Sequence, residues 1–257
     1  MESYANKTVI VTGGGGHIGS AIAAQYHRAG ANVAICGRRE PVTHPISDSE
    51  RYLFVQADIR DPAQSQRLVD STVERFGGVD VLINNAGGSP PVAAADAAPE
   101  LTQKILQLNV VAPIVLAQQV FHVMKEGAGV ASIINIASVS GTRPSPGTAA
   151  YGAAKAGLIS ATRSLAQEWG PDVRVNAVVV GLVEHDAGSD HYGGPDGFRR
   201  VAEMLPLKRM ARPADIADAC LYLSSDQAAY VSGATLEVDG GGEAPVFLYL
   251  AKESGLN

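Results

Sequence analysis

The sequence predicts an α/β protein, a doubly wound parallel sheet with helices on both faces. Short strand-like runs alternate with stretches of helical period about six times along the chain, which is the rhythm of strand–helix–strand units. The strand runs are solidly apolar instead of alternating with polar residues, as strands covered on both faces are. A third observation marks the start of the chain. The first strand runs straight into a glycine-dense loop, TGGGGHIG at residues 12–19, that opens a helix.

Each element has its own signal. TVIVT (8–12) is a β-branched run bounded by polar residues and glycine, a buried strand. Ile18, Ala21, Ile22, Tyr26 and Ala29 then recur at helical spacing until Gly30 stops them. NVAIC (32–36) and YLFVQA (52–57) read as strands. Residues 61–76 read as a helix with Pro62 in its first turn, where a missing N–H breaks no bond. VDVLIN (79–84) is a strand, and 101–124 is a long helical stretch that Pro113 should kink. Strands follow at 130–136, 173–180 and 234–238, and helices at 151–169 and 213–223. No linker, low-complexity tract or repeat interrupts the chain, so residues 1–257 form one Rossmann-type domain.

Three loops are rich in small residues and should rim a pocket. They are Gly88–Pro99, Gly141–Gly147 and the glycine-rich, polar stretch 184–206, expected to be a mobile lid. Phe198, Met204 and Leu205 in that lid either cover an apolar substrate or simply pack. The tail, 243–257, carries an apolar run at Val246–Leu250 that needs cover, from a neighbouring subunit or from its own.

Composition excludes several classes. The net charge of −6 argues against nucleic acid or an anionic membrane as partner. No charged-then-apolar leader and no long apolar span is evident, so a cytoplasmic location is expected. Cys36 and Cys220 lack the paired spacing of a metal or redox motif and read as buried thiols. His185, Asp186, Asp190 and His191 fit no standard ligand spacing, so no metal is expected.

Glycines between a strand and a helix permit a tight turn and let backbone amides approach a pyrophosphate, to which the helix N-terminus adds partial positive charge. Nucleotide binding is therefore expected at residues 12–19. Further along come Asp58-Ile59, Asn85-Ala86-Gly87 after the fourth strand, Asn109, and Ser138 thirteen positions before Tyr151. Lys155 lies four beyond that tyrosine, followed by RVNAV (174–178) and VDGG (238–241). In this order they resemble the classical short-chain dehydrogenase/reductase family, from Lys7 to about Gly242. The usual loop of that family, TGxxxGxG, would place glycine at position 17. This chain reads TGxxGxxG, with Gly13, Gly16 and Gly19, which resembles the extended branch of the same superfamily. Gly16 is then expected in close approach, with Ile18 beside it. His17 is either a steric filler along the turn or a contact to the cofactor phosphates.

The resemblance implies an oxidoreductase that interconverts a ketone or 3-oxo group and a secondary alcohol, using a nicotinamide dinucleotide. Tyr151 and Lys155 share a helix face. An ammonium beside a phenol favours the phenolate, which makes the pair a tunable acid/base. Ser138 would hold the substrate oxygen, Asn109 would anchor a water in a proton relay, and Lys155 would also bond the nicotinamide ribose. Asn85, Ala86 and Gly87 would pack beside the adenosine ribose and phosphates, and Asp58 and Ile59 would bracket the adenine. An NAD enzyme usually carries an acid at the end of the second strand; here that place is Gly37, followed by Arg38 and Arg39. Guanidinium forks onto phosphate, so NADP(H) is favoured over NAD(H), against the plainer reading of a solvated turn.

After the sixth strand the family's proline is Val180 here and its threonine is His185. Gly181 and the Val183 backbone are expected near the nicotinamide. Relatives are usually tetramers, so a homotetramer or homodimer is expected. Two rival functions remain at this stage: a lyase or epimerase with a retained cofactor, and a non-catalytic nucleotide-sensing protein.

Overall fold

The computed structural model describes residues 4–47, 49–127, 129–184 and 193–245. The lid segment 185–192, with His185, Asp186, Asp190 and His191, and the tail 246–257 lie outside them.

Seven parallel strands form one sheet in the order β3-β2-β1-β4-β5-β6-β7. They are β1 Thr8–Thr12, β2 Asn32–Gly37, β3 Tyr52–Gln56, β4 Val81–Asn84, β5 Ala131–Ser138, β6 Val173–Val180 and β7 Thr235–Val238. The strand order reverses between β1 and β4, which opens the crevice at their carboxyl ends where ligands of such sheets sit. The helices are α1 His17–Arg28, α2 Pro62–Phe76, α3 Pro99–Leu106, α4 Ala112–Lys125, α5 Ala149–Trp169, α6 Gly194–Met204 and α7 Pro213–Ser224.

The sheet divides two cores. Val9 and Val11 of β1 point to the side holding Ile22 and Tyr26 of α1 and Ile216 and Cys220 of α7. Ile10, between them, points to the side holding Leu68 of α2 and Leu116 and Val120 of α4. That is why a central strand such as β1 carries apolar residues at successive positions. Both cysteines are buried, and burial raises the Cys36 thiol to about 12.

Several sequence expectations shift. The long helix 101–124 is α3 and α4 joined by a π-helical turn at Gln107–Val111, where the Ala112 N–H bonds back to the Gln107 carbonyl. Pro113 sits in the first turn of α4 and has no N–H to return to the carbonyl of Asn109 four residues earlier. Residues 99–125 are long and apolar enough to cross a membrane by length and composition. In this fold Leu116, Ala117, Val120 and Met124 of that stretch are at most 1% exposed, packed in the core. Among the described residues of the connection 38–51 between β2 and β3 none is helical, so the alternation lapses there. Part of the expected lid is α6, and Leu205 just after it is buried, a packing residue. Strand β5 runs on to Ser138 in place of stopping at Ile136.

Polar side chains wire the ends of these elements. Asp61 caps α2 by accepting from the Ala63 N–H, with Pro62 behind it, and Gly77 ends the helix at φ 87°. Arg174 of β6 donates to the Leu223, Ser225 and Val231 carbonyls, holding the end of α7. Asn176 accepts from the Ala234 N–H and donates to the Val231 carbonyl, which sets β7 beside β6.

Candidate active site

The glycine loop is tied down by the residues around it. Thr12, fully buried at the end of β1, accepts from the Asn85 and Ala86 amides at 2.9 Å each and donates to the Ile83 carbonyl. The Asn85 amide group donates to the Thr12 carbonyl at 2.8 Å. The loop turns at Gly13, whose φ of 63° suits glycine, and the Gly16 N–H returns to the Gly13 carbonyl at 3.0 Å. A methyl group on Gly19 would strike that carbonyl and come within 2.6 Å of the Asn85 side chain. One on Gly16 would touch only the Gly13 oxygen, at 3.2 Å, so Gly16 faces open space toward the cleft. The N-terminus of α1 points its first N–H groups the same way.

This loop forms one wall of a cavity of about 600 Å³. Every predicted nucleotide residue other than Gly181, Tyr151 and Lys155 lines it, and those three line a second cavity of about 230 Å³. At the far end of the larger cavity stand Gly37, Arg38, Arg39 and Asp58. Arg38 and Arg39 are exposed, and neither is ion-paired among the described residues. Sequence reasoning missed Arg60 there. It donates from Nε to both carboxylate oxygens of Asp58, at 2.9 and 3.1 Å, and pairs through its second nitrogen as well. This hydrogen bonding holds the Asp58 carboxyl below its ordinary range, and Arg38 adds a smaller push in the same direction. The signal was local: an arginine two residues after the aspartate.

The smaller cavity holds Ser138, Tyr151 and Lys155 together. Ser138 ends β5, and its hydroxyl accepts from the Ser140 N–H at 3.2 Å. Tyr151 lies in the first turn of α5. Burial raises its phenol above the ordinary value, and a hydrogen bond with Ser138 opposes that rise. Lys155 is 3% exposed, and its ammonium donates to the Ile136 carbonyl at 2.7 Å. Burial lowers it to about 8. Its nitrogen lies 5.6 Å from the centre of the Tyr151 ring.

Asn109 sits in the π turn but not as a cavity wall. Its side-chain oxygen accepts from the Gly88 N–H at 2.9 Å, and its amide donates to the Gly88 and Ile105 carbonyls. The side chain pins the Gly88 loop. A methyl group on Gly87 would lie 2.7 Å from the Asn109 oxygen and 3.1 Å from the Lys155 nitrogen, so glycine there lets the loop pass the lysine. Two rim loops meet where the Val92 N–H bonds the Gly147 carbonyl. Arg143, on one of them, forms a two-pronged ion pair with Glu243.

His17 lines the larger cavity and has in addition a partner that neither sequence reading named. Its ring reaches across the crevice to the Glu184 carbonyl, 2.6 Å from Nε2. Val180 is buried at the end of β6, and His185 lies outside the described residues. Among the described residues no group of three or more possible ligands could hold a metal.

The family model described as enoyl-(acyl carrier protein) reductase matches residues 15–243. A 3alpha-hydroxysteroid dehydrogenase of Mediterraneibacter gnavus is 37% identical over 91% of this chain and 96% of its own length. A peroxisomal 2,4-dienoyl-CoA reductase of Arabidopsis thaliana is 34% identical, covering 91% of this chain and 84% of the relative. Among solved structures, an actinorhodin polyketide ketoreductase variant with NADPH superposes with a TM-score of 0.86 at 30% identity, covering 91% of this chain and 96% of that one. Ligand-free aldohexose dehydrogenase of Thermoplasma acidophilum superposes with a TM-score of 0.85 at 25% identity, covering 92% and 94%.

Proposed function

The chain belongs to the short-chain dehydrogenase/reductase family, NAD(P)-dependent oxidoreductases acting on CH–OH and C=O groups, and from that premise we propose an NADP(H)-preferring enzyme with Tyr151 as its general acid/base. The observation that carries the reading is the junction of the two cavities. Ile18, Asn85, Gly87 and Val183 line both, so a dinucleotide cradle opens directly onto Ser138, Tyr151 and Lys155.

The residues fit a dinucleotide. The cradle is built where methyl groups on Gly14 or Gly19 would collide with their surroundings and where Gly13 turns at a φ of 63°, and it ends among three arginines. Gly13, Gly16 and the first amides of α1 would hold the pyrophosphate, Arg38 and Arg39 the 2′-phosphate, and Lys155 the nicotinamide ribose. When bound, the dinucleotide supplies a hydride to the carbonyl carbon or accepts one from the alcohol.

The chain's own groups handle the proton. In reduction the Tyr151 hydroxyl donates its proton to the carbonyl oxygen, on which negative charge develops. In oxidation the phenolate takes the alcohol proton. Ser138 donates a hydrogen bond to the same oxygen and orients it. Lys155, buried with its charge, stabilises the phenolate that remains. Ketones ranging from 3-oxoacyl thioesters to steroids and sugars are substrate classes this chemistry serves.

The test is a fluorescence titration with NADPH and NADH in parallel on wild type and Arg38→Ala. Loss of charge-assisted bonds to a 2′-phosphate weakens NADPH about ten- to hundredfold and leaves NADH unchanged. Equal or tighter NADH binding by the wild type overturns the NADP assignment and directs the substrate screen to NAD-driven alcohol oxidation.

A further inference from the structure

A histidine stands where the family pattern has glycine, and the structure gives it a task. His17 is the first residue of α1. Its Nε2 lies 2.6 Å from the Glu184 carbonyl oxygen, 167 positions along the chain. A carbonyl only accepts, so Nε2 carries the proton and donates. The acceptor is held in place. The Glu184 N–H bonds the Ala211 carbonyl at 2.9 Å, the Ala211 N–H bonds the Leu182 carbonyl at 2.9 Å, and Val183 pairs with Ala211 as an isolated bridge.

The two ends of this bond flank the junction of the cavities. Ile18, next to His17, and Val183, next to Glu184, each line both. The imidazole therefore bridges the cleft at the boundary between the dinucleotide cradle and the catalytic cavity. A glycine at position 17 has nothing to send across. A ligand that fills the cradle and also presents a reacting group to Tyr151 has to occupy both cavities, and so lies across this boundary.

We propose that His17 is a latch: its bond to the Glu184 carbonyl closes the cleft over the cofactor, opens for admission and release, and so sets the residence time. The proposal rests on the dinucleotide reading above. A single exposed hydrogen bond is modest, so the latch opens often and slows traffic without stopping it. If it closes with similar strength over the empty and the filled cleft, it scales the two rates together and leaves the equilibrium nearly untouched.

The experiment is stopped-flow NADPH fluorescence on wild type, His17→Gly and His17→Gln. In His17→Gly both association and dissociation rates rise about three- to tenfold, the reach of one exposed hydrogen bond, and Kd stays within about twofold. In His17→Gln, whose amide can donate to the same carbonyl, the rates fall between. In nucleotide-free protein the Glu184 and Ala211 amides exchange faster in His17→Gly, while those of β6 do not change. Faster dissociation with unchanged association overturns the latch and makes His17 a direct ligand contact. Unchanged rates, or unchanged exchange, also overturn it. Wild type that binds neither NADPH nor NADH overturns the dinucleotide reading itself, and the latch with it. If His17→Gly does not fold, the His17→Gln rates alone decide: unchanged from wild type in both directions, or weakened binding without faster association, rejects the latch, and a parallel rise supports it.

Discussion

Lys155→Met is expected to make the protein more stable at neutral pH while abolishing its activity. Lys155 is 3% exposed, its one hydrogen bond among the described residues goes to the Ile136 carbonyl at 2.7 Å, and no carboxylate there pairs with it. Burial takes the amine from its ordinary 10.5 to about 8. That difference corresponds to about 3 kcal/mol of folding free energy lost whenever the amine is charged in both states. Methionine has similar volume and no charge. Its substitution also removes the bond to Ile136, a loss of about 1 kcal/mol. The balance is a gain of about 2 kcal/mol at pH 7, or a rise in Tm of roughly 4–8 °C for a domain of this size.

The sign follows from proton counting. The folded-state value lies below the unfolded one, so between about pH 8 and 10.5 the unfolded chain holds more protons and wild-type stability climbs with pH. The advantage of the variant is full below pH 8, shrinks above it, and reverses near 10.5 by the missing hydrogen bond. Thermal and urea unfolding at pH 7 and 9.5 reads this, without nucleotide, because a bound ligand adds its own stabilisation. A variant less stable than wild type at pH 7, or a gain that does not depend on pH, would refute the reasoning: some other group would then be compensating the buried charge.

Tyr151→Phe should lower kcat by about a hundred- to ten-thousandfold through loss of the proton donor, with the Kd for NADPH within about twofold, as steady-state rates and titration would show. Gly19→Ala should abolish tight dinucleotide binding and cost roughly 1–3 kcal/mol in unfolding experiments, because its methyl group meets the Gly13 carbonyl and the Asn85 side chain. In Arg60→Ala the Asp58 carboxyl should titrate at higher pH by NMR, since the hydrogen bonds that hold it down are gone. An unmoved titration would mean that another group holds this carboxylate.

The central strands were legible because both of their faces are buried, so β1, β2 and β4 announce themselves as short apolar runs, whereas the edge strands β3 and β7 are mostly half-buried. The local motifs were legible for a similar reason: the spacing of Tyr151 and Lys155 is one turn of a helix, and no tertiary information is needed to place them on one face. What was hidden depends on partners far away in sequence. Nothing near His17 names Glu184, and nothing near Arg143 names Glu243 a hundred positions on. The π turn was hidden differently. Pro113 advertised a disturbance, but whether a helix kinks or widens by one residue depends on what the turn packs against, here the Gly88 loop pinned by Asn109.

That pinning bears on how a proton could travel. The asparagines around the site are nearly all committed to the scaffold. Asn85 holds the glycine loop, Asn176 holds β7, and both N–H groups of Asn109 are spent on the Gly88 and Ile105 carbonyls. A water anchored by Asn109 therefore has no side-chain donor to use. Its main-chain carbonyl is different, because Pro113 removes the i+4 donor that an unbroken helix would return to it. The same count separates scaffold from chemistry across the whole cavity. Among the described residues, Lys155 uses one of its three donors, and it does so in a place where an unspent charge is costly to bury. Capacity left unspent at such a cost is available to a ligand, in keeping with the proposed ribose contact. On that ground a relay from Tyr151 through Lys155 would reach the Asn109 carbonyl, not its side chain, so Asn109→Asp, which loses the two donors to Gly88 and Ile105 but keeps the acceptor for the Gly88 N–H, should retain more of both fold and activity than Asn109→Ala, which frees the Gly88 loop altogether.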